Sequence, residues 1–535
     1  MIYDKFNMTI LCWVKCMSNE SAKPDTILVL DFGGQYAHLI ARRIREMKVF
    51  SEVLPCNLTI HELESKKSQM KIRGVILSGG PSSVYDIEAP SFNIDIMKVG
   101  MPLLGICYGH QLIAKNVKGK VIPAKKNEYG TTLVTVDSPE GVLKGLDKTE
   151  KVWMSHGDTV LELPEGFHLL AHSDSSPIAA FGYEKLKIYG IQWHPEVVHT
   201  EKGNLTLRNF VFNTCECKPN WIVDDYLDHA IKEVKKEVGE GNAIVALSGG
   251  VDSSVVAAIA SQAIGKKLTA VLIDHGFLRE GEVEEVKNIF AKLESNLIVL
   301  DRKENFLKRL FGILDPEEKR KIIGEEFIRS FESISKNLKA DYLIQGTIYP
   351  DRIESGFKKH SDKIKTHHNV GGLPDTTSFK AIVEPIKDLY KDEVRVMAKR
   401  LNLPKKIWGR QPFPGPGLAV RIIGEIDSKK TEILKKADKI VTDEIEKANL
   451  VDELWQYFAV LTDSKSTGVK GDARAYGYAI AIRAVQSIDG MTANFAKLNH
   501  DLLETISSRL TNEIPEVVRV VYDITNKPPA TIEWE

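Results

Sequence analysis

The feature that most constrains the fold of this chain is a repeated local pattern: an apolar run, a glycine-rich turn and then helical spacing. TILVLDF leads into Gly33-Gly34, and GVILSGG, PLLGIC and AIVALSGG repeat the pattern further along the chain. Short buried strands that alternate with helices build a mostly parallel sheet that is covered on both faces. Because 535 residues exceed what one hydrophobic core can serve, we expect two to four domains of the α/β type.

Breaks in this pattern divide the chain into four segments. Residues 1–24 are an N-terminal extension, whose apolar patch is too short to span a bilayer and lacks the cleavage site of a signal peptide. Residues 25–213 and residues 214–409 are each predicted to be an α/β domain with a mainly parallel sheet. The Pro/Gly-rich stretch QPFPGPG then introduces an α+β domain at residues 410–535.

Charge and cysteine content exclude several classes of protein. A net charge of −1 gives no overall footprint for nucleic acid or an anionic membrane, so neither is expected as a partner. Six cysteines are too few for a disulfide framework and form no paired CxxC pattern, which favours a reducing, cytoplasmic compartment. Cys215 and Cys217 would make half of a metal site, but no second half is evident, and two unrelated linker thiols are the simpler interpretation.

The first group of chemically significant residues centres on GICYGHQ. Cys107 ends an apolar run and begins a helical segment, so its thiol lies near a helix N-terminus, which favours the nucleophilic thiolate. In QWHPE, His194 and Glu196 are two apart on a predicted strand, which places both side chains on one face. That arrangement suits a base and the carboxylate that orients it. Each residue alone would more often be structural, and their combination indicates catalysis.

Together, GICYGHQ, LSGGPSSV, MSHGD and QWHPE resemble the class I glutamine amidotransferase family over roughly residues 25–213. The resemblance implies that Cys107 attacks the side-chain amide of glutamine, with His194 as general base and acid and Glu196 orienting it. It also implies that the backbone amides of Gly80 and Tyr108 bind the oxyanion. The residues that it places near the glutamine are Gln111, Ser155, His156, Gly157 and Asp158.

The second group lies in AIVALSGGVDSSVV, which is predicted to be a strand, a glycine-rich turn and a helix. Backbone N–H groups at such a helix N-terminus form an anion site. The loop lacks the Lys-Ser/Thr pair of a Walker loop. Asp252 would repel a bare phosphate, so it requires a cation beside it, most simply Mg²⁺ that bridges to phosphate oxygens.

SGGVDS resembles the pyrophosphate-binding loop of the ATP pyrophosphatases, which have an adenine-nucleotide alpha-hydrolase-like fold. Those enzymes direct attack at the α-phosphorus of ATP and expel pyrophosphate. The resemblance implies that the stretch VLIDH, with Asp274, lies by the adenine and ribose, and that Asp252 is the metal ligand. The loop residues that it assigns to ATP are Ser248, Gly249, Gly250, Val251, Asp252, Ser253 and Ser254.

Motifs beyond these two loops indicate the acceptor of the nitrogen. QGTIYPDRIES, LYKDEVR, RQPFPGPGLAVRIIGE, TGVKGDARAYG and KPPATIEWE resemble the glutamine-hydrolysing GMP synthetase family, and the match runs from about residue 25 onward. The resemblance implies a ligase that takes glutamine, ATP with Mg²⁺, and xanthosine 5′-monophosphate (XMP). XMP would be adenylated at O2 and then aminated to GMP, with release of AMP and pyrophosphate.

The same resemblance implies further site residues and an assembly. Asp351 and Glu354 would lie on a lid over the nucleotide, and Lys365 and Lys391 would approach phosphates. The residues expected to bind XMP are Arg320, Lys527 and Glu533. The C-terminal domain is similar to the dimerisation domain of the family, so a homodimer is expected. His367-His368 suggests a metal site, but loop hydrogen bonding is the preferred interpretation.

Two other functions compete with this one. A different glutamine-dependent adenylating enzyme, such as an NAD synthetase, would share the second loop, but its usual glutaminase is of another class than the Cys-His-Glu signature. A non-catalytic protein that retains the fold would have no need of an intact triad and loop, because folding requires neither.

Overall fold

The computed structural model describes residues 23–68, 70–356, 379–487, 490 and 492–535, and in strand or helix the side chains of residues 125–126 and 353–356 are left aside. The chain forms two compact units that divide between Ile222 and Val223. Among the described residues, no helix is both long enough and apolar enough to cross a bilayer.

The first unit is built on a nine-stranded sheet in the order β2-β1-β3-β4-β9-β8-β7-β5-β6. The strands from β2 to β9 in this order pair in parallel, and the remaining four add antiparallel pairs. The predicted parallel sheet is therefore confirmed and is extended by an antiparallel part. The strands are β1 Asp25–Asp31, β2 Phe50–Pro55, β3 Lys71–Leu77, β4 Leu103–Ile106, β5 Lys120–Val136, β6 Thr149–Glu162, β7 His168–His172, β8 Ala180–Tyr183 and β9 Ile188–Ile191.

Helices cover this sheet, and local sequence sets where they begin. Thr59 caps the second helix, since its hydroxyl accepts from the Glu62 N–H at 3.2 Å while the Glu62 carboxylate accepts from the Thr59 N–H at 2.8 Å. The helices are α1 Ala37–Glu46, α2 Ile60–Lys67, α3 Asp95–Lys98, α4 Tyr108–Asn116 and α5 Gly203–Arg208; short 3₁₀ turns occupy Gly141–Leu143 and Glu184–Leu186, and a π-helix occupies Asn209–Thr214.

The segment predicted as a linker packs onto the first unit. The Lys218 N–H donates to the Asp25 carboxylate at 2.9 Å, and the Trp221 N–H donates to the Lys48 carbonyl at 2.9 Å. Cys215 and Cys217 are both buried free thiols. The first unit thus continues to Ile222, nine residues beyond the position at which the sequence pattern breaks.

The second unit begins with a five-stranded parallel sheet in the order β12-β11-β10-β13-β14. Four of these strands lie in the apolar runs AIVALSGG, KLTAVLID, SNLIVLD and ADYLIQGT, which the sequence predicts to be strands, and the fifth follows the undescribed residues 357–378. Because the strands are parallel, their carboxyl ends lie at one edge of the sheet, where ligands of open α/β sheets bind. The strands are β10 Ala243–Leu247, β11 Leu268–Asp274, β12 Asn296–Asp301, β13 Tyr342–Ile344 and β14 Ala381–Val383.

The helix that follows β10 is buried nearly all round, as expected for a helix packed between a sheet and further helices. Another helix begins at Asp315, whose carboxylate accepts from the Glu318 N–H at 2.8 Å. The helices here are α6 Val223–Val238, α7 Val251–Ile264, α8 Glu282–Phe290, α9 Lys303–Leu310, α10 Pro316–Leu338, α11 Tyr349–Gly356, α12 Lys391–Arg400 and α13 Lys405–Trp408, with 3₁₀ turns at Gly265–Lys267 and Gly417–Arg421.

The C-terminal part carries a third sheet, in which β16 pairs antiparallel with β15 and β17 and parallel with β18. One hydrophobic core joins it to the preceding sheet, since Val271 of β11 and Leu461 of β15 belong to the same buried cluster. The elements are α14 Ser428–Lys447, β15 Gln456–Lys470, β16 Ala473–Gln486, β17 Asn494–Phe495, α15 His500–Glu513 and β18 Val517–Tyr522.

Candidate functional sites

Cys107 occupies a sharp turn between β4 and α4. Its backbone has φ +53° and ψ −104°, a region that non-glycine residues rarely adopt. Glycine flanks the turn because a Cβ on Gly105 would lie 2.4 Å from the carbonyl oxygen of Gly109. The thiol is buried and lies 3.4 Å from the Ser155 carbonyl oxygen. The turn therefore holds Cys107 at the N-terminus of α4, as the sequence predicts.

His194 and Glu196 form a buried pair beside this turn. Nδ1 of His194 lies 2.7 Å from Oε1 of Glu196. The prediction that both lie on a strand is wrong, because β9 ends at Ile191 and the two residues stand in the turn that follows. They meet because the turn is fastened elsewhere: the Thr200 hydroxyl donates to the His194 carbonyl at 2.6 Å, and Arg43 Nε donates to the Glu196 carbonyl at 3.0 Å.

The surroundings of His194 favour its protonated form. Burial alone would disfavour the charged imidazolium, but the Glu196 carboxylate and the Cys107 thiol outweigh that effect and raise the pKa of His194 well above its ordinary value. An imidazole that readily takes up a proton can accept the proton of a neighbouring thiol and later deliver it to a leaving amine. The three residues therefore have the arrangement that a thiol-based catalytic triad requires.

Glu196→Gln is expected to lower the pKa of His194, because burial would then act without the carboxylate that opposes it. The imidazolium would lose its proton at lower pH. We expect the alkaline limb of the kcat/KM profile for glutamine hydrolysis to move to lower pH, and the maximum rate to fall about 10²- to 10⁴-fold. Glutamate release measured across pH, with XMP and Mg·ATP present, checks this.

The control for that variant is Glu128→Gln, which alters a second buried His–carboxylate contact of the first unit. Glu128 Oε2 lies 2.9 Å from His156 Nε2. Replacement of Glu128 should leave the alkaline limb of the kcat/KM profile at the same pH as in the wild type. An unchanged limb in Glu196→Gln, or an equal shift in both variants, would contradict the role given to Glu196.

Gly79, in the turn after β3, sets the space between the nucleophile and the base. A Cβ at this position would lie 3.0 Å from His194 Cε1 and 3.7 Å from Cys107 Cβ. Glycine is thus required here for close approach, since any side chain would push the imidazole away from the thiol. The sequence suggested a role for the neighbouring glycine and did not indicate this one.

Gly79→Ala is expected to reduce glutamine-driven synthesis about 10²-fold, because a displacement of the imidazole by a few tenths of an ångström or more misaligns the proton transfer. Synthesis driven by added ammonium should be unchanged, which makes the ammonium reaction the internal control. Rates of GMP formation with each nitrogen source check this, and equal losses in both would count against the assignment.

Gly80 lies in the turn after β3, and Tyr108 begins α4 just after β4, the neighbouring parallel strand. The turns are fastened together, since the Gly109 N–H donates to the Ser78 carbonyl at 3.2 Å. Within the described part of the chain, the N–H groups of Gly80 and Tyr108 donate to no acceptor. Two free amides beside a nucleophilic thiol form the arrangement that stabilises an oxyanion.

The five residues expected near the glutamine lie around this thiol in different ways. Gln111 is buried, and its Nε2 donates to the Asp158 carbonyl at 2.8 Å. The Asp158 carboxylate accepts from the Ser83 hydroxyl at 2.6 Å. The His156 ring is held by Glu128, whereas Ser155 is exposed. Gly157 lies next to Asn127, since a Cβ at Gly157 would be 3.4 Å from Asn127 Oδ1. His156 therefore shapes the segment, and the Ser155 backbone borders the thiol.

The second site is the loop between β10 and α7. The Ser253 hydroxyl accepts from the Ser248 N–H at 3.2 Å, and the Ser254 hydroxyl donates to the Gly250 carbonyl at 2.8 Å. Gly249 has φ +73°, which only glycine adopts without strain. The hydroxyls thereby fold the loop on itself ahead of Val251, where α7 begins, so that its first N–H groups point outward as an anion site.

Asp252 meets the requirement for a cation-binding carboxylate. Its Oδ2 pairs with the Lys391 ammonium, while Oδ1 is buried without a hydrogen-bond partner among the described residues. A buried carboxylate oxygen with no donor is suited to a hard cation. The described residues contain no group of three or more His, Cys, Asp or Glu side chains that could hold a metal ion by themselves. The cation therefore fits here only if phosphate oxygens and water supply the other ligands.

Asp274 lies at the carboxyl end of β11, next to β10 in the sheet. One carboxylate oxygen accepts from the Gly276 N–H at 3.1 Å, and the other pairs with Lys303 at 3.0 Å. Asp274 and Lys303 line a cavity of about 440 Å³, together with residues of α8 and α14. The structure thus places Asp274 in the lining of a cavity. It lies at the carboxyl end of the strand next to the one that leads into the loop of Asp252.

The predicted lid lies at the edge of the described residues. Asp351 lies in α11, and the backbone of Glu354 lies in the same helix, but its side chain is among those left aside. Lys365 and His367-His368 lie outside the described residues. Lys391, by contrast, begins α12 and reaches Asp252 of the loop.

The three residues expected to bind XMP each have a different partner. The Glu533 carboxylate accepts two hydrogen bonds from Arg421, at 3.0 and 2.8 Å. Lys527 donates to the Gly490 carbonyl at 2.8 Å. Arg320 donates to the Glu535 carbonyl, so it holds the same C-terminal segment that carries Glu533.

The sequence did not single out a cationic cluster next to Glu533. Arg421 is fully buried and lies 3.9 Å from the centre of the Phe458 ring. Arg279 Nε lies 3.1 Å from Asp438, and Arg279 Nη2 is buried with no hydrogen-bond partner among the described residues. Burial lowers the pKa of Arg279, and the Asp438 carboxylate opposes that effect. The sequence did contain an indication of a role for Arg421, because this residue lies in RQPFPGPGLAVRIIGE, one of the motifs that resemble the family.

Comparisons with known families assign all three parts of the chain. The model described as glutamine amidotransferase class-I matches residues 28–214, NAD synthase matches residues 223–344, and GMP synthase C terminal domain matches residues 443–534. The first match covers the thiol triad, and the second covers the loop with Asp252.

Full-length relatives carry all three parts in one chain. A protein of Caldicellulosiruptor saccharolyticus, named GMP synthase [glutamine-hydrolyzing], is 52% identical over 513 residues, which cover 96% of this chain and 99% of the relative. Proteins with the same name from Halothermothrix orenii and Clostridium kluyveri are 51% and 50% identical, each over 96% of this chain and 100% and 99% of their own lengths.

Proposed function

This chain belongs to the family of glutamine-hydrolysing GMP synthases, and on that premise we propose how its residues divide the reaction. It is a ligase that uses glutamine, ATP and XMP and makes GMP. The observation that carries the proposed division is the presence in one chain of a thiol triad and a separate pyrophosphate-type loop. The first makes ammonia, and the second activates the acceptor.

In the glutaminase reaction, His194 accepts the thiol proton and Cys107 attacks the side-chain amide carbon of glutamine. The carbonyl oxygen becomes an oxyanion, which the free N–H groups of Gly80 and Tyr108 stabilise. His194 then donates its proton to the leaving nitrogen, and ammonia departs from a glutamyl thioester. Water hydrolyses the thioester to glutamate with His194 again as base. Glu196 keeps the imidazole oriented and favours its protonated form throughout.

We place glutamine against Gln111 and the segment from Ser155 to Asp158. The exposed Ser155 supports this, because its carbonyl oxygen lies 3.4 Å from the Cys107 thiol. His156 and Asp158 act through the shape of the segment, because Glu128 and Ser83 already occupy their side chains.

In the synthetase reaction, O2 of XMP attacks the α-phosphorus of ATP, and pyrophosphate leaves. Ammonia then attacks C2, and AMP departs with the former O2 oxygen, which leaves GMP. We propose that residues Ser248 to Ser254 hold the departing pyrophosphate by their N–H groups and hydroxyls. Asp274, at the rim of the neighbouring cavity, would face the adenosine part.

Mg²⁺ is proposed to enter with ATP and to meet Asp252 through its unpartnered Oδ1. When bound, it would neutralise charge on the β- and γ-phosphates. Lys391 pairs with the other carboxylate oxygen, and its ammonium group could exchange that partner for a phosphate oxygen of ATP. Asp351 and Glu354 remain the proposed lid residues, on the strength of the motif QGTIYPDRIES that contains them, and Lys365 remains a proposed phosphate contact.

For XMP, we propose that Glu533 accepts from purine N–H groups and that Lys527 and Arg320 serve the phosphate side. Arg421 supports the first role, because a bidentate contact fixes the Glu533 carboxylate. Arg279 is added to the proposed phosphate-binding residues, because its buried Nη2 lacks a partner among the residues described.

The remaining assignments concern organisation. We propose three domains at 25–213, 214–409 and 410–535, in which residues 214–222 are a linker packed on the first domain, and a homodimer through the last domain. The exposed Val469 and Tyr476 on the β15–β16 hairpin support such a contact, because solvated apolar side chains on paired strands often mark an interface. A cytoplasmic location is proposed because a free catalytic thiol requires a reducing compartment.

The test of the proposed function is a single reaction mixture of the full chain with XMP, ATP, Mg²⁺ and glutamine. GMP, AMP, pyrophosphate and glutamate should appear in equal amounts. Omission of XMP should stop AMP formation. If GMP does not form under these conditions, or if ADP replaces AMP, the proposed chemistry is wrong.

A further inference from the structure

Arg410 links the pyrophosphate-type loop to the segment that precedes the C-terminal part of the unit. Its Nη1 donates to the Gly249 carbonyl at 2.8 Å, and its Nη2 lies 2.6 Å from Oε1 of Glu282. The guanidinium is largely buried, and the Glu282 carboxylate is almost completely so. One planar group thus joins a loop carbonyl to a buried carboxylate.

The orientation of the Gly249 carbonyl matters because it decides whether the C=O or the N–H end of the Gly249–Gly250 peptide group faces a bound anion. In a trans peptide the C=O and the following N–H point in opposite directions. With the carbonyl turned towards Arg410, the Gly250 N–H points away from it and donates to the Ser248 hydroxyl at 3.3 Å. A carbonyl turned the other way would present a negative dipole end to pyrophosphate.

The backbone conformation and the neighbours of Gly249 leave no room for a side chain at this position. Gly249 has φ +73°, and a Cβ there would lie 2.6 Å from Glu282 Oε1 and 3.1 Å from Arg410 Nη1. Glu282 is itself fixed at the first residue of α8, where its second oxygen accepts from the Arg279 N–H at 3.0 Å. The guanidinium is therefore held from one side and holds the loop on the other.

We infer that Arg410 is a positioning residue for the pyrophosphate loop: it keeps the Gly249 carbonyl turned away from the anion site, so that this carbonyl dipole does not oppose the β- and γ-phosphates. This inference rests on the proposed function, which assigns ATP to that loop. Lysine could not replace it, since one ammonium group lacks the planar fork that reaches both the Gly249 carbonyl and Glu282.

Isothermal titration calorimetry on the full chain tests this, with Mg·ATP, magnesium pyrophosphate and AMP as separate probes. Both Arg410→Gln and Arg410→Lys should bind Mg·ATP and pyrophosphate about 10- to 100-fold more weakly than the wild type, because a hydrogen bond of a charged group is lost. AMP, which lacks the β- and γ-phosphates, should bind within about threefold of the wild type. In steady-state assays the same variants should raise KM for ATP and leave KM for XMP and glutamine unchanged.

The matched control is Arg309→Gln, which removes a partly buried guanidinium that pairs with Glu325 and Glu326 and does not contact the loop. Its affinity for all three probes should equal that of the wild type. The inference is overturned if both Arg410 variants bind pyrophosphate as tightly as the wild type does, or if Arg410→Lys retains full affinity. It is also overturned if the affinity for AMP falls as much as the affinity for pyrophosphate. Direct binding distinguishes failure of this inference from failure of the proposed function. If pyrophosphate binding depends on Arg410 but the chain makes no GMP, only the proposed function is refuted.

Discussion

Cys107→Ala will abolish GMP synthesis from glutamine and leave synthesis from added ammonium salts intact. The thiol is the group that the proposed mechanism assigns to attack the amide, and the loss of a covalent nucleophile costs about 10⁴-fold or more in such triads. The fold should survive, because the change removes one sulfur atom from a turn whose close approach depends on glycine at 105 and 109. Initial rates of GMP formation with each nitrogen source give the result.

Cys56→Ala is the matched control for that variant. Cys56 is a free, partly buried thiol of the same unit, and it belongs to no part of the proposed glutaminase site. It should retain both activities. Loss of both activities in a folded Cys107→Ala protein would contradict the division of the reaction between a glutaminase and a synthetase.

Asp252→Ala should have the second large effect and should eliminate synthesis from both nitrogen sources. Its Oδ1 is the unpartnered carboxylate oxygen proposed to meet magnesium, and its removal would leave the charge of the departing pyrophosphate uncompensated. We expect a loss of about 10³-fold or more in GMP formation, as for other groups that stabilise charge in the transition state. AMP release with ammonium as the nitrogen donor measures it.

Asp341→Ala offers a close match as a control for Asp252→Ala. Asp341 is similarly exposed and pairs with one lysine, Lys380, as Asp252 pairs with Lys391. Its replacement should leave both activities at the wild-type level. AMP release by Asp252→Ala at the wild-type rate would remove this residue from the magnesium site.

Much of this account could be read from local sequence. The apolar runs that end in glycine-rich turns became the parallel strands of two sheets, because burial on both faces leaves a clear signature in residue order. The turn at Cys107 was also predictable, since a strand, a single residue and a helix follow directly in the chain. Such features depend on neighbours only a few residues apart.

Features that depend on distant contacts could not be read in this way. His194 and Glu196 meet in a turn, and the assumption of strand periodicity gave the correct contact for the wrong reason. The clamp between Arg421 and Glu533 joins residues 112 positions apart, and the Arg410 contact with Gly249 joins residues 161 apart. Nothing in the local pattern specifies the partner of a buried arginine, because that choice is made by tertiary packing.

The measurement that tests the central claim most directly follows one oxygen atom. XMP labelled with ¹⁸O at O2 would be converted by the full chain with ATP, Mg²⁺ and glutamine, and the AMP examined by mass spectrometry. If O2 attacks the α-phosphorus and leaves with it, each AMP formed will carry one ¹⁸O in its phosphate, and the GMP will carry none at C2. Unlabelled AMP, with the isotope released to water or found in pyrophosphate, would contradict adenylation of XMP as the step that the second site performs.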